Sequence, residues 1–473
     1  MLNLSQAQII SIAVNASIFV IIAISSFLII NKLKFEQSGY KYLFLLYTIF
    51  WIPIMLVRPY RGTIQTAIDK QFVTIALSVY GFVGIFVRIF ADAINYLFRH
   101  RKTFLYICAI SELGLFLPLV INPSSATNIL SSIGIGIGAS CIGTYELLFK
   151  EQFGNKKAFL TVSVLSIPPL LANFLTAPIQ SLIKTVATTG QSQVDPNILR
   201  YLWLIAIPFL LISFIMIFFL KEKRMVAGIQ LGYYRDLRKN NQLVIREWSF
   251  FIILAIIGSL IAFIKFSNSD AMATLHIQNL GSITHNNVSS YEGYISVIFS
   301  LFQLLAGVLL GTVLIRKMDT IKIFLIGSCS WIVYLISATF IQNPIGYFCV
   351  HSLNGFGYGI LYNLVLAIVL NISIDNKVIT KMGIYQSILS IGITVSSFFT
   401  KWLKNLLNNN NNPNLYMHDY LIENMILLAI VIIVTIWFIS FNLIIKNPKS
   451  VDKDSKIANK KPLKKGILNK VSQ

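Results

Sequence analysis

"YGFVGIFVRIFADAINYLFRHRKTFL", Tyr80–Leu105, and "FQLLAGVLLGTVLIRKMDTIKIFL", Phe302–Leu325, follow one plan. Each runs from a glycine-bearing apolar helix end, through a short basic cluster, into apolar residues ending Phe-Leu. Recurrence of one helix–loop–helix unit roughly 220 residues apart indicates a chain built from two related halves. Gly81 and Gly84 in the first copy, and Gly307 and Gly311 in the second, allow helices to approach closely. Asp92 and Asp319 lie beside the basic clusters, where they are expected to form a charge latch with Arg88 and Arg316.

The residues around the two copies decide the class. The chain has 473 residues, is 56% hydrophobic and only 12% charged, with a mean hydropathy of +0.72. Soluble domains carry about twice that charge. Apolar runs of about 20 residues recur, the length at which a helix crosses a bilayer core. The chain therefore reads as an all-α polytopic membrane protein. The first run, 9–30, has no basic residue before it and "NKLK" after it. A secretory signal has the opposite charge order, so this run is expected to be a retained extra helix with its N-terminus outside. Twelve more follow, spans one to twelve, at 42–61, 72–97, 103–121, 128–149, 158–183, 201–220, 248–266, 289–315, 321–342, 345–374, 382–403 and 420–445.

Charge tests this layout. With the loop after the extra helix inside, and sides alternating, the inside segments hold 30 of the 39 Lys and Arg residues. The opposite loops 122–127 and 267–288 hold none. This is the positive-inside asymmetry, and it accounts for the net charge of +21 through membrane topology and attraction to anionic lipid rather than nucleic acid. The chain then divides into an extra helix and loop (1–41), a six-helix half (42–220), a cytoplasmic middle loop (221–247), a second six-helix half (248–445) and a basic cytoplasmic tail (446–473). "NLLNNNNNPN", 405–414, reads as an external low-complexity loop. The tail is polar and Lys-rich, a composition that does not build a core. Cys108, Cys141, Cys329 and Cys349 all fall in apolar runs without metal-ligand spacing and read as packing residues. No metal or cofactor is expected. "GIGIGAS", 134–140, lies inside span four with no strand before it, so its glycines indicate helix packing rather than nucleotide binding.

Twelve spans, two halves, this charge layout and the repeated loop resemble the major facilitator superfamily of secondary transporters over about residues 42–445. The signature loop of that family is a glycine, an aspartate and then basic residues leading into the next span. "GVLLGTVLIRKMD" follows it with Ile315 where the family often has aspartate, and the first copy keeps Asp92 but has extra residues before Arg99–Lys102. The resemblance implies a transporter, not an enzyme, with one small-molecule substrate site between the halves and a monomeric unit in a lipid bilayer. The abundance of Ile, Asn and Lys suggests an AT-rich genome, and a bacterial plasma membrane is the expected location.

Within that frame Arg58 and Lys265 stand out. Arg58 lies 16 residues after Tyr42, and Lys265 lies 17 after Trp248. At 1.5 Å per residue both sit about 25 Å into equivalent spans, one and seven. Two readings are open. Each side chain can snorkel to the outer headgroups. Alternatively, the two cations flank one cavity and hold a phosphate or carboxylate, Arg bidentately and Lys as a point charge. "VRPY" in span one, "SVYGF" in span two and "FIKFS" in span seven look like the organophosphate:phosphate antiporters. In that subfamily basic residues of spans one and seven grip the phosphate, which carries over to Arg58 and to Lys265, where the subfamily has arginine. Gly84 occupies the place where it often has a further basic residue, and Arg88 comes one turn later, four residues before Asp92.

Other polar residues inside the spans complete the candidate set. In "HSLNGFGYGILYN" of span ten, His351, Asn354, Tyr358 and Tyr362 recur at helical spacing. With Tyr80 in span two and Gln386 in span eleven they are candidates to line the cavity, interhelical hydrogen bonding being the alternative. Glu146 is expected in the charge network with Arg88, Asp92, Arg316 and Asp319. Glu112, in the middle of span three, is a candidate for proton coupling or a structural charge. Three functions compete: a small-organic-anion transporter, a drug or lipid efflux transporter of the same fold, and a polytopic membrane enzyme. Span five reads "SIPPLLANFLTAP" without the glycine-proline motif of efflux antiporters, and the five histidines form no catalytic cluster in sequence.

Overall fold

A computed structural model of the chain describes residues 39–153, 162, 164–188, 194–222, 241–268, 276, 277, 280, 288–372, 378–407 and 416–446, with Ala13, Ser17, Val20 and Ile24 ahead of them. These four are helical and exposed; the rest of the first run, residues 223–240 of the middle loop, most of the 405–414 loop and the tail after Lys446 lie outside the described residues. Eleven described helices are long and apolar enough to cross a membrane. Ile167–Thr188, which carries Asn173, Gln180 and Lys184, completes twelve spans. The fold is of the major facilitator type.

Three spans depart from simple helices. Span one runs as Gly39–Val57, a 3₁₀ turn Arg58–Tyr60, and a further helix Arg61–Ile68, seven residues past the end expected from hydropathy. Pro59 causes the break, because its ring clashes with the carbonyl four residues back and it has no N–H to donate there. Span four is Ser125–Ala139 and Ile142–Phe153, interrupted at Ser140 and Cys141. It starts earlier than hydropathy suggests because Ser124 and Thr127 form a reciprocal capping box. Span eight, Val288–Leu309, continues through a π turn, Leu310–Leu314.

Two lines of contact join the halves. Span two (Val73–Phe98) packs along span eleven (Val378–Leu407), and span five packs along span eight. The repeat makes spans two and eight equivalent, and likewise five and eleven, so the two contacts are pseudosymmetric. Glycines of the repeated unit set both. A Cβ on Gly81 would stand 2.5 Å from Thr394 Oγ1 and 2.8 Å from its backbone nitrogen, and one on Gly84 would be 2.8 Å from Ser390 Oγ. On the other line a Cβ on Gly307 would lie 2.9 Å from Ser166 Oγ. Any larger residue would hold these helices apart. Gly134, Gly136 and Gly138 likewise bring span four against spans two and three. Large apolar side chains such as Phe90, Phe218, Phe340 and Ile345 are exposed around the bundle, the surface a lipid-embedded protein presents.

One loop residue docks into the helix ends. His276, between spans seven and eight, stacks on Tyr420 with ring centroids 4.2 Å apart at 11° and lies 4.9 Å from Tyr347. Burial pushes its imidazole down to about 4, so it docks uncharged.

Candidate functional site

The break at Pro59 builds the site. The carbonyl of Met55, which an ordinary residue at 59 would have bonded, accepts instead from Gln180 Nε2 of span five at 2.7 Å, and the Leu56 carbonyl accepts from the same nitrogen at 3.0 Å. Span one is thereby tied to span five at the turn that carries Arg58. Arg58 is half-buried, and its guanidinium lies 5.9 Å from the Phe266 ring of span seven. It also comes within hydrogen-bonding reach of the buried Tyr80 hydroxyl.

Lys265 also lies over the Phe266 ring. Its Nζ is 5.2 Å from the Phe266 centroid, 4.5 Å from that of Phe299 in span eight and 5.8 Å from that of Tyr358 in span ten. The two halves thus bring their cations to one aromatic ring, close enough for Arg58 to act on Lys265 electrostatically. Their mutual repulsion favours an anion between them. The aromatic frame is held by packing. Tyr358 stacks with Tyr362 at 5.4 Å and with Trp331 at 6.2 Å, and sits 5.9 Å from Phe299. Gly355 allows that last approach, since a Cβ there would collide with the Phe299 carbonyl.

Sequence reasoning did not single out two further cations. Arg61, one turn after Arg58 and buried, places its guanidinium 4.5 Å from the Tyr80 ring. Lys184, buried on span five, has Nζ 5.5 Å from the Tyr60 ring. The available signal was Gln180 and Lys184, two polar residues four apart in an apolar span.

The rest of the span-ten row divides. His351 and Asn354 turn towards span nine. His351 Nδ1 donates to the Tyr347 carbonyl at 3.0 Å, and its Nε2 is 3.2 Å from the Tyr334 hydroxyl, which donates to Asn268 Oδ1 at 2.8 Å. Trp331 Nε1 donates to Asn354 Oδ1 at 3.0 Å. The contacts with Tyr334 and Trp331 are the interhelical bonds that were the alternative to a cavity role, and the Tyr347 bond stays within span ten. Tyr358 is the member of the row that reaches Lys265.

Gln386 lies elsewhere. Arg88 Nη1 donates to the Gln386 backbone carbonyl at 2.9 Å and to its Oε1 at 3.2 Å. Gln386 Nε2 in turn donates to Glu146 Oε1 and Oε2 at 2.9 and 3.0 Å. All three are buried. A carboxamide from the second half therefore bridges a cation and a carboxylate of the first, its dipole aligned with both charges. This bridge continues the Gly81–Thr394 and Gly84–Ser390 line of contact between the halves. Asp92 is on span two, with its side chain outside the described residues. Arg316 and Asp319 are exposed beyond span eight, Asp319 at the N-cap of span nine.

Glu112 is fully buried between spans three and four, and neither carboxyl oxygen has a hydrogen-bond partner among the described residues. Its carboxyl group occupies the space that Gly138 leaves: a Cβ there would be 2.7 Å from the carboxyl carbon.

The comparisons with known proteins fit this architecture. A family model described as Major Facilitator Superfamily matches residues 42–397. No curated protein matches by sequence. Among solved structures, the human organic anion transporter MFSD10 (TETRAN) is similar over 85% of this chain and 100% of its own, at 10% identity and TM-score 0.60. A bacterial homologue of the human lysosomal transporter Spinster, inward-facing and occupied, covers 84% and 95% at 13% identity and TM-score 0.58. The proton:xylose symporter XylE covers 85% and 95% at 13% and 0.57. At these identities the likeness is one of fold.

Proposed function

Since this chain belongs to the major facilitator superfamily, whose members transport solutes across membranes, we propose that it is a secondary transporter for a small organic anion, with an organophosphate as the first candidate. The observation that carries this is the convergence of Arg58 and Lys265, from equivalent places in the two halves, on the ring of Phe266. Two cations from opposite halves can grip one anion only while both halves face it, which is what alternating access around a central site requires. "VRPY", "SVYGF" and "FIKFS" support the organophosphate reading through their likeness to the antiporters of that name. Tyr80 and Tyr358 would orient the bound group. Arg88, Glu146 and Gln386 would hold the far end closed, and Glu112 would be the proton-exchanging carboxyl if transport is proton-coupled.

Proteoliposomes loaded with inorganic phosphate test the reading. Labelled phosphate, sugar phosphates, glycerol 3-phosphate and carboxylates are offered outside. Rapid counterflow with phosphate or a phosphate ester is the expected result. Folded protein that exchanges no anion would remove the anion reading and return the search to neutral or cationic solutes.

The charge asymmetry supports a further proposal about topology: a monomer in the plasma membrane, with its halves at 42–220 and 248–445, its N-terminus outside and its tail in the cytoplasm. Single cysteines added at the two termini should then react with an impermeant maleimide at the N-terminus alone in intact cells. Labelling of both, or of the C-terminus alone, would mean the spans or their direction are miscounted.

A further inference from the structure

Lys265 carries a second message. A lysine ammonium has three N–H donors. Around Nζ stand three ring centroids, Phe299 at 4.5 Å, Phe266 at 5.2 Å and Tyr358 at 5.8 Å, all within the distance at which an aromatic face attracts a cation. They come from three different helices, spans eight, seven and ten. Phe299 is nearest, and its place is set by backbone: spans eight and ten cross so closely at Gly355 that a Cβ there would meet the Phe299 carbonyl. Tyr358 stacks with Trp331 and with Tyr362. This is a constructed cage rather than a chance neighbour.

We infer that the cage of Phe299, Phe266 and Tyr358 is an internal competitor for the transported anion, with Phe299 as the positioning residue that sets substrate affinity through Lys265. The inference rests on the proposed anion site and deepens it. An anion reaching the ammonium must come to hydrogen-bonding distance, about 2.8 Å. The three rings lie within cation–π range of the ammonium, so an anion that draws it to itself weakens that attraction in exchange. The exchange has a use. Two cations in a low-dielectric cavity would hold a multiply charged anion too tightly to release it. Ring faces that take the ammonium back lower the cost of release and leave the free site stable. Phe266 acts on both charges, since Arg58 lies over the same ring. A substrate of one compact anionic group, such as a phosphate monoester or a carboxylate, suits such a site better than a ligand that would need the cage rings as a stacking surface.

The test keeps shape and changes only the ring's electrons. Phenylalanines carrying one, two and three ring fluorines are placed at 299 by noncanonical incorporation, and phosphate exchange is measured in proteoliposomes. Each fluorine weakens the negative face. The KM for phosphate is expected to fall stepwise, by roughly threefold to tenfold across the series, while kcat falls as release slows. Phe299→Leu should move in the same direction, and Phe299→Tyr should stay near wild type. A purely packing role would leave the fluorinated series flat. A flat or rising KM overturns the cage inference while the anion site stands. Absence of phosphate exchange in the wild-type protein overturns both.

Discussion

Arg58→Ala is expected to cut anion exchange by at least about thirtyfold, in protein that still inserts and purifies folded. Removing one hydrogen-bonded partner of a buried charge costs about 2–5 kcal/mol in binding, a loss of about thirtyfold to several thousandfold. Arg58 has little structural work to do in the resting state. It is half-buried, sits on a turn already held by Gln180, and lies over Phe266. Its loss should therefore leave thermal unfolding in detergent within a few degrees of wild type. Arg58→Lys should recover only part of the activity, because an ammonium cannot hold an oxyanion bidentately. Lys265→Ala should fail equally, whereas Lys265→Arg keeps the charge and should retain exchange. Labelled-phosphate counterflow, normalised to folded protein, decides the matter. Wild-type rates in both alanine variants would mean that the two side chains only reach for the headgroups.

Arg88→Met should have the largest effect on stability, a loss of about 3–5 kcal/mol, because it leaves the Glu146 carboxylate buried without a cation behind the Gln386 amide. Glu146→Gln alone strands Arg88 in the same way. The pair Arg88→Met with Glu146→Gln removes both charges, and Gln386 can still bond to an amide at 146. This double variant should unfold much closer to wild type than either single one, with a coupling of a few kcal/mol. Its transport should stay impaired, because the Arg88–Gln386 bond between the halves is lost with the arginine. Thermal or denaturant unfolding of the four proteins in one detergent measures the cycle. If the double variant loses as much as the sum of the singles, the three residues are not one network.

How much of this was readable beforehand differs by residue. Equal depth in spans one and seven singled out Arg58 and Lys265, because the repeat converts position along one helix into a match across the cavity. Tyr358 and Arg88 were also among the candidates. Gln386 was sorted towards the substrate and belongs, by its bonds, with Arg88 and Glu146. His351 and Asn354 share a helical row with Tyr358, yet they bond to Tyr334 and Trp331 of span nine. A 100° step per residue gives the face of a helix but not which neighbour that face meets. Phe299 carries no signal in a chain with 34 phenylalanines, and Phe266 figured only as part of "FIKFS".

The sequence by itself determined the class, the twelve spans of the two halves, and the family the chain resembles. These follow from local or summed properties: apolar length against bilayer thickness, the count of basic residues per loop, and one repeated helix–loop–helix unit. Only the tertiary structure decided which partners those residues have. Whether a cation meets a ring, an amide or an anion depends on how closely helices distant in sequence cross. That is set by single glycines such as Gly81, Gly307 and Gly355, and by a carbonyl that Pro59 leaves for Gln180 to find.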